Sequence, residues 1–274
     1  MGKRSVAFQR KFPTNVGQWG YSGISTPGHL RHERCLADPS IQFNIAVLGI
    51  PFDTVASYRP GRHRVYELRG FGPYPGINPY MSWAQVLDCG DIPVTPSDND
   101  LALQQVTEAL QEMGIELDTL HTNSYPSLWS SPQSDSTHGS MFWLATKEGL
   151  IQNGTSVHAG LRTRLTGAGW EDRQRDDEQG FLRLTTEGID EIGPQGIVDR
   201  IIRGADVLDP GFAPGTGAPE LGGWRMRKVN RISRGLRPVN TVGADIVEVS
   251  PANDDKGEST AFVAAQIAYK LITN

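Results

Sequence analysis

Carboxylates beside a loop rich in glycine and proline are the first feature of this sequence that could do chemistry. Residues 206–224 read DVLDPGFAPGTGAPELGGW and place Asp206 and Asp209 at the head of that loop. Hard divalent cations such as Mn²⁺ and Mg²⁺ prefer oxygen ligands of this kind. A solvated turn in which Asp209 acts as a cap is the simpler interpretation from spacing alone, so a metal site and a turn both stay open.

Three further polar residues stand where an enzyme could use them. In GADIVEVSPAND, Asp245 and Glu248 interrupt an otherwise apolar run. A carboxylate at a buried strand end must be paired, bound to a metal or matched to a cationic ligand, which makes Glu248 the strongest single candidate. In THGSMFW, His138 precedes a predicted helix, where an imidazole could transfer protons or serve only as a cap or surface residue.

The elements that must position these residues alternate between strands and helices. Apolar and β-branched runs predict strands at 44–50, 83–89, 155–161 and 239–249. Helical spacing predicts helices at 98–113, 141–148, 197–203, 227–234 and 260–272, with a polar connector over 172–178. This alternation indicates an α/β fold with a mainly parallel sheet. We expect residues 1–40 to form an N-terminal arm and residues 41–274 a single domain.

Two positions lack the strand that such a topology requires. The predicted helix ending at Met113 leads into a long stretch with loop-like composition, and RIIRGADVLDPG passes from a predicted helix directly to a loop. A helix that crosses a parallel sheet needs a strand on each side. The sequence therefore predicts missing or damaged strands near 114–117 and 203–206.

Charge and composition exclude several classes of function. The net charge is −5 and the isoelectric point is about 5.7, with no basic block, so neither a nucleic acid nor an anionic membrane is an expected partner. No apolar run is long enough to span a bilayer and no secretory signal is visible, which predicts a cytoplasmic protein. Cys35 and Cys89 are too few for a disulfide framework, and we expect two buried thiols.

Five longer motifs, taken together and in order, resemble the ureohydrolase family of arginases and agmatinases, and agmatinase most. They are GIPFDTVASYRPG (49–61), DCGDIPVTP (88–96), DSTHGSMFW (135–143), DVLDPGFAPGTGAPELGG (206–223) and VGADIVEVSPAND (242–254). The resemblance implies a three-layer αβα ureohydrolase fold, a small guanidino substrate and a homo-oligomer. It also implies two Mn²⁺ ions that activate a water molecule, which hydrolyses agmatine to putrescine and urea.

The same resemblance assigns roles to individual residues. His138 matches the family histidine that assists proton transfer, and Glu248 matches the carboxylate that faces the substrate guanidinium. Asp118 and Asp206 match two of the aspartates that bind Mn²⁺ in the family.

The sequence departs from the family at the predicted gaps. The GGDH segment has no counterpart, Glu116 stands where a ligand histidine is expected, and Gly204 replaces the first aspartate of a DxD pair. The family's two histidines and four aspartates are thus reduced to Asp118 and Asp206. Two carboxylates should bind Mn²⁺ weakly and should not hold a bridged pair.

Three interpretations follow from these motifs and gaps. The first is an agmatinase-like amidinohydrolase whose activity is impaired by the missing ligands. The second is a catalytically inactive relative that acts as a binding or structural subunit. The third is a truncated gene product, because each loss resembles a clean excision rather than scattered substitution.

Overall fold

The computed structural model describes residues 26–27, 30–52, 83–113, 141–147, 149–162, 171–202, 205–208, 213–217, 219 and 221–273. Within these residues, the strands are β1 (Arg31–His32), β2 (Ile45–Gly49), β3 (Val86–Asp91), β4 (Ser156–Leu161), β5 (Leu182–Thr185) and β6 (Ala205–Leu208). The helices are α1 (Asn99–Glu112), α2 (Met141–Lys147), α3 (Glu171–Glu178), α4 (Gly188–Ile201), α5 (Met226–Gly235) and α6 (Ser259–Thr273).

All described strand pairs are parallel, which confirms the predicted α/β class. One sheet has the order β1-β3-β2 and the other has the order β5-β4-β6. The central strand β3 is buried from Val86 to Cys89, as expected for a parallel strand covered on both faces. The carboxyl ends of such strands are where α/β proteins place their ligands.

The principal core lies between β4, β5 and the helices α4 and α5. Its buried members are Val157, Ala159, Leu184, Ile189, Ile197, Val198, Ile201, Trp224, Val229 and Ile232. Val157 and Ala159 are two positions apart on β4 and so face the same side, whereas His158 between them faces the other. This core supports β4, and β4 in turn pairs with β6, the strand that carries Asp206.

Several predicted elements are confirmed with small shifts at their ends. The helix predicted at 98–113 begins at Asn99, and Asp98 caps it by accepting a hydrogen bond from the Leu101 amide at 3.0 Å. The predicted helices at 227–234 and 260–272 correspond to α5 and α6. Residues 31–32 fall within the segment predicted as an arm and pair with β3.

The sequence predicts a missing or damaged strand near 203–206; the structure has the short strand β6 at 205–208, so the expectation of a missing strand is wrong. Strand β6 pairs with β4 in a parallel register that places Asp206 opposite Val157 and Val207 opposite His158. It is only four residues long and carries an aspartate in its middle. A run this short gives no periodic signal, and it becomes a strand through its pairing with β4. The other predicted gap, at 114–117, lies outside the described residues.

Two other predicted elements are wrong. The polar connector at 172–178 belongs to helix α3, whose residues are all polar and therefore show no apolar period. The strand predicted at 239–249 is irregular backbone, and its one ladder contact is an isolated antiparallel bridge between Val249 and Thr216. A strand needs a partner for its backbone groups, and among the described strands none lies beside residues 239–248.

Cys35 and Cys89 form a disulfide, which corrects the expectation of two buried thiols. Their Cα atoms are 5.2 Å apart across a sequence separation of 54 residues. Both residues are buried, at 8% and 5% exposure, as predicted. Cys35 follows β1 and Cys89 lies in β3, so the parallel pairing of these two strands brings the cysteines together. Cysteine spacing along the chain carries no information about that pairing.

No helix within the described part of the chain has the length and apolarity needed to cross a membrane.

Candidate active site

The predicted site residues are described to different extents. The backbone of Asp206 lies in β6, hydrogen-bonded beside β4. Glu248 lies in the irregular segment before the bridge residue Val249. Asp118 and His138, as well as Asp209, lie outside the described residues. The structure therefore fixes the strand that carries Asp206 and the backbone that carries Glu248.

Glu248 does not occupy the buried strand end that its sequence context predicts. Its side chain is exposed, and so is that of Asp245, while the neighbouring Val247 is 66% exposed. The φ angle of Glu248 is 64°, in the left-handed region that non-glycine residues rarely adopt. Strained backbone of this kind is typical of functional positions whose surroundings hold them in place.

The two motifs that carry Asp206 and Glu248 meet in space. Val249 pairs with Thr216 in an antiparallel bridge, and the Ser250 amide donates a hydrogen bond to the Gly215 carbonyl at 2.6 Å. Thus the loop that follows β6 is joined directly to the residues that follow Glu248. Sequence spacing alone could not predict this, because 33 positions separate Thr216 from Val249.

An aromatic cluster fixes the helix that follows the His138 motif. The rings of Phe142 on α2 and His158 meet edge-on, with their centroids 5.8 Å apart. The His158 ring stacks on Phe181 with a centroid distance of 4.4 Å and an interplanar angle of 11°. Since α2 begins at Met141, the contact of Phe142 with His158 holds the first turn of the helix, four residues after His138 in the sequence. The aromatic cluster of Phe142, His158 and Phe181 therefore packs the start of α2 against β4.

Charged side chains lie beside the aromatic cluster. The His158 Nε2 atom is 4.0 Å from a carboxylate oxygen of Asp176, and Arg183 contacts the same carboxylate at 3.7 Å. Arg183 also donates to Asp177 at 2.7 Å. Burial lowers the pKa of His158; Asp176 opposes this shift, whereas the Arg183 charge adds to it. The folded protein thus favours the neutral imidazole.

The lowered pKa of His158 predicts a loss of stability in acid. A histidine whose pKa is depressed by folding contributes its stability above the unfolded value of about 6.5, and this contribution is lost as the pH falls below that value. We expect the free energy of unfolding to decrease from about pH 7.5 to about pH 5.5, and His158→Phe to flatten this decrease. Urea denaturation at a series of pH values measures the free energy of unfolding of wild type and of His158→Phe.

Leu161 provides a control for this prediction, because it is an exposed side chain on the same strand as His158 and carries no titratable group. The variant Leu161→Ala should keep the wild-type dependence on pH. Equal slopes for wild type and His158→Phe would contradict the assignment to His158.

The described residues do not assemble a metal centre. Among them, no group of three or more histidine, cysteine, aspartate or glutamate side chains is placed to hold an ion. Asp206 contributes one matched ligand position from β6, and Asp118 lies outside the described residues. Within the described residues, Asp206 is thus the one matched ligand position, and a bridged pair of ions needs several supported ligands.

Comparison with known proteins gives consistent matches. The family model described as the Arginase family matches residues 43–117 and 115–273. Putative agmatinase 1 of Schizosaccharomyces pombe is 34% identical over 92% of this chain and 82% of its own length. Agmatinase of Citrobacter koseri is 36% identical over 82% of this chain and 85% of its own. The solved structure of proclavaminate amidino hydrolase from Streptomyces clavuligerus aligns with a TM-score of 0.74 at 25% identity, covering 93% of this chain and 98% of that one.

The alignments also show that this chain is shorter than its relatives internally. The match to the Schizosaccharomyces protein runs over 327 residues, although 92% of this 274-residue chain is only about 252 residues. The relative thus has about 75 residues at positions where this chain has none. The family match is itself divided into two segments that meet at 115–117, inside one of the predicted gaps.

Proposed function

Because the chain belongs to the arginase family of ureohydrolases and shares their α/β fold, we propose that it is an agmatinase-like amidinohydrolase. Its reaction would hydrolyse the guanidino group of agmatine and release putrescine and urea. The observation that carries this proposal is the similarity to agmatinases over most of the chain, at 34% identity across 92% of its length for the Schizosaccharomyces protein. The proposed partner is a small guanidino compound as substrate, and the proposed assembly is a homo-oligomer.

The proposed roles follow from the chemistry of a guanidinium substrate. A carboxylate pairs with guanidinium through charge-assisted hydrogen bonds, and this is the role of Glu248. Hydrolysis forms a bond from water oxygen to the guanidinium carbon and breaks the bond from that carbon to the putrescine nitrogen. The departing amine needs a proton, which His138 is suited to deliver as a general acid.

The metal requirement of the reaction argues against full activity of this chain. Mn²⁺ is the proposed cofactor, with Asp118 and Asp206 as the retained ligands, and these two residues do not make a binuclear centre. The internal shortening by about 75 residues supports loss of the remaining ligands with the segments that carried them. We therefore propose that turnover by this chain is strongly impaired.

Metal content and urea release test this proposal together. After loading with Mn²⁺ and dialysis, we expect fewer than two ions per chain by elemental analysis, because two carboxylates bind such ions weakly. Urea release from agmatine should then be near the uncatalysed background. The agmatinase of Citrobacter koseri, treated in parallel, serves as the active control. Tight binding of two ions with turnover equal to that of the control would contradict the impairment.

A binding or structural subunit is the second candidate, and the same shortening favours it over a normal enzyme. Such a subunit should be folded and should co-purify with a partner of defined stoichiometry. A truncated gene product should instead show no cooperative thermal transition. The genomic sequence around the codons for 114–116 and 203–205 distinguishes the origins, since an in-frame segment there would identify an excision.

A further inference from the structure

A buried hydrogen-bond cluster joins the loop after β6 to the start of helix α6. The Gly215 amide donates to the Thr260 hydroxyl at 2.9 Å, and this bond is fully buried. The Thr260 and Ala261 amides donate to the Asp254 carboxylate at 2.9 and 3.0 Å. We call Gly215, Asp254 and Thr260 the clamp. It joins two segments of the chain, because Gly215 and Thr260 are 45 residues apart in sequence.

Packing leaves the clamp little freedom to rearrange. Thr260 is only 3% exposed. A Cβ atom on Gly215 would lie 2.7 Å from the Asp254 side chain, closer than real side chains approach. The Asp254 carboxylate accepts hydrogen bonds from the first turn of α6, where a negative charge is also favoured by the helix dipole. The backbone of Gly215 is therefore fixed against α6.

The position of Gly215 determines the backbone that follows Glu248. The Gly215 carbonyl accepts a hydrogen bond from the Ser250 amide, and the next residue, Thr216, forms the bridge to Val249. Ser250 and Val249 are buried at 3% and 6% exposure, whereas Glu248 is exposed. The chain thus turns from exposed to buried at Glu248, where φ is 64°. An unfavourable backbone angle persists only where neighbouring residues impose it.

We propose that Thr260 and Asp254 are positioning residues that hold Glu248 in its left-handed backbone conformation through Gly215. This inference rests on the proposed function only for the role of Glu248 towards a guanidinium group. In the clamp, Thr260 supplies the hydroxyl acceptor for Gly215, and Asp254 fixes the amide of Thr260. Removal of the hydroxyl leaves the Gly215 amide buried without its acceptor, and the bridge to Val249 loses its support.

The substitution Thr260→Val tests the clamp, because valine has the same shape and lacks the hydroxyl acceptor. In the isotopically labelled full chain, a left-handed residue gives a strong contact between its own amide and α protons in nuclear Overhauser spectra. We expect Thr260→Val to weaken this contact at Glu248, and calorimetry to show agmatine affinity reduced at least about tenfold. Thr260→Ser restores the acceptor and should return both readouts to wild-type values.

Ser259→Ala is the matched control, since it removes a neighbouring hydroxyl that bonds to Asp255 and lies outside the clamp. It should change neither readout. An unchanged Glu248 contact in Thr260→Val would overturn the proposal. If wild type itself does not bind agmatine, the proposed function fails, while the proton contact at Glu248 still decides the clamp.

If Thr260→Val does not fold, measurements on the wild-type chain test the clamp. Slow hydrogen exchange of the Gly215 amide together with a strong Glu248 contact supports the clamp. Fast exchange at Gly215 with the Glu248 contact intact overturns it.

Discussion

Replacing both Cys35 and Cys89 with alanine is expected to lower the free energy of unfolding by about 4 kcal/mol, because their disulfide closes a loop across 54 residues. Most of this effect comes from the unfolded chain, which gains freedom when the cross-link is absent. The folded chain also loses a restraint on β1, an edge strand of only two residues. Urea denaturation of wild type and the double variant without reducing agent measures the difference.

Reduction of the wild-type chain provides the control for this prediction. With excess thiol reductant, the two cysteines become free thiols and the reductant becomes a disulfide. Wild type and the double variant should then unfold at similar urea concentrations, because both lack the cross-link. The dependence of unfolding on urea should also be steeper for the double variant, since its unfolded state is more expanded. Equal midpoints without reductant would contradict the contribution of the disulfide.

The elements that sequence patterns predict correctly are those with a local signal. Strand β2 is an uninterrupted run of apolar residues, and α1 combines apolar spacing with a capping aspartate at position 98. The predictions for β6 and for residues 239–249 are wrong in opposite ways for the same reason. Ala205–Leu208 has little strand pattern but finds β4 beside it, whereas 239–248 has the pattern but lies beside none of the described strands. Strand formation depends on a neighbour that local sequence does not specify.

The candidate site shows the same limit. The motifs that contain Asp206 and Glu248 can be identified from the sequence, but their junction through Gly215 and Ser250 depends on tertiary structure. His158 is a residue that sequence reasoning missed although a signal was present. It interrupts an apolar strand in TSVHAGL, and the argument that singled out Glu248, a polar group within a buried run, applies equally to it.

Substitution of Trp224 should have the other large effect, because this residue ends the loop that follows β6, which we call the site loop, and its side chain enters the principal core. Its side chain is 2% exposed, and its indole nitrogen donates to the Thr186 carbonyl at 2.9 Å. We expect Trp224→Ala to lower the free energy of unfolding by about 3–5 kcal/mol, through lost burial and a cavity. Circular dichroism during urea denaturation measures this without relying on tryptophan fluorescence.

Two controls separate the parts of that effect and relate it to the site. Trp224→Phe keeps an aromatic ring but leaves the Thr186 carbonyl without its donor, so we expect a smaller loss of about 1–3 kcal/mol. Leu221→Ala alters the same loop at a side chain that is 90% exposed and should be nearly neutral. A near-neutral Trp224→Ala would show that the core tolerates the loss of its largest side chain. The predicted loss of unfolding free energy would instead mean that the segment beginning at Asp206 is held at one end by β4 and at the other by Trp224. Stability of the core and placement of the site loop would then depend on the same residue.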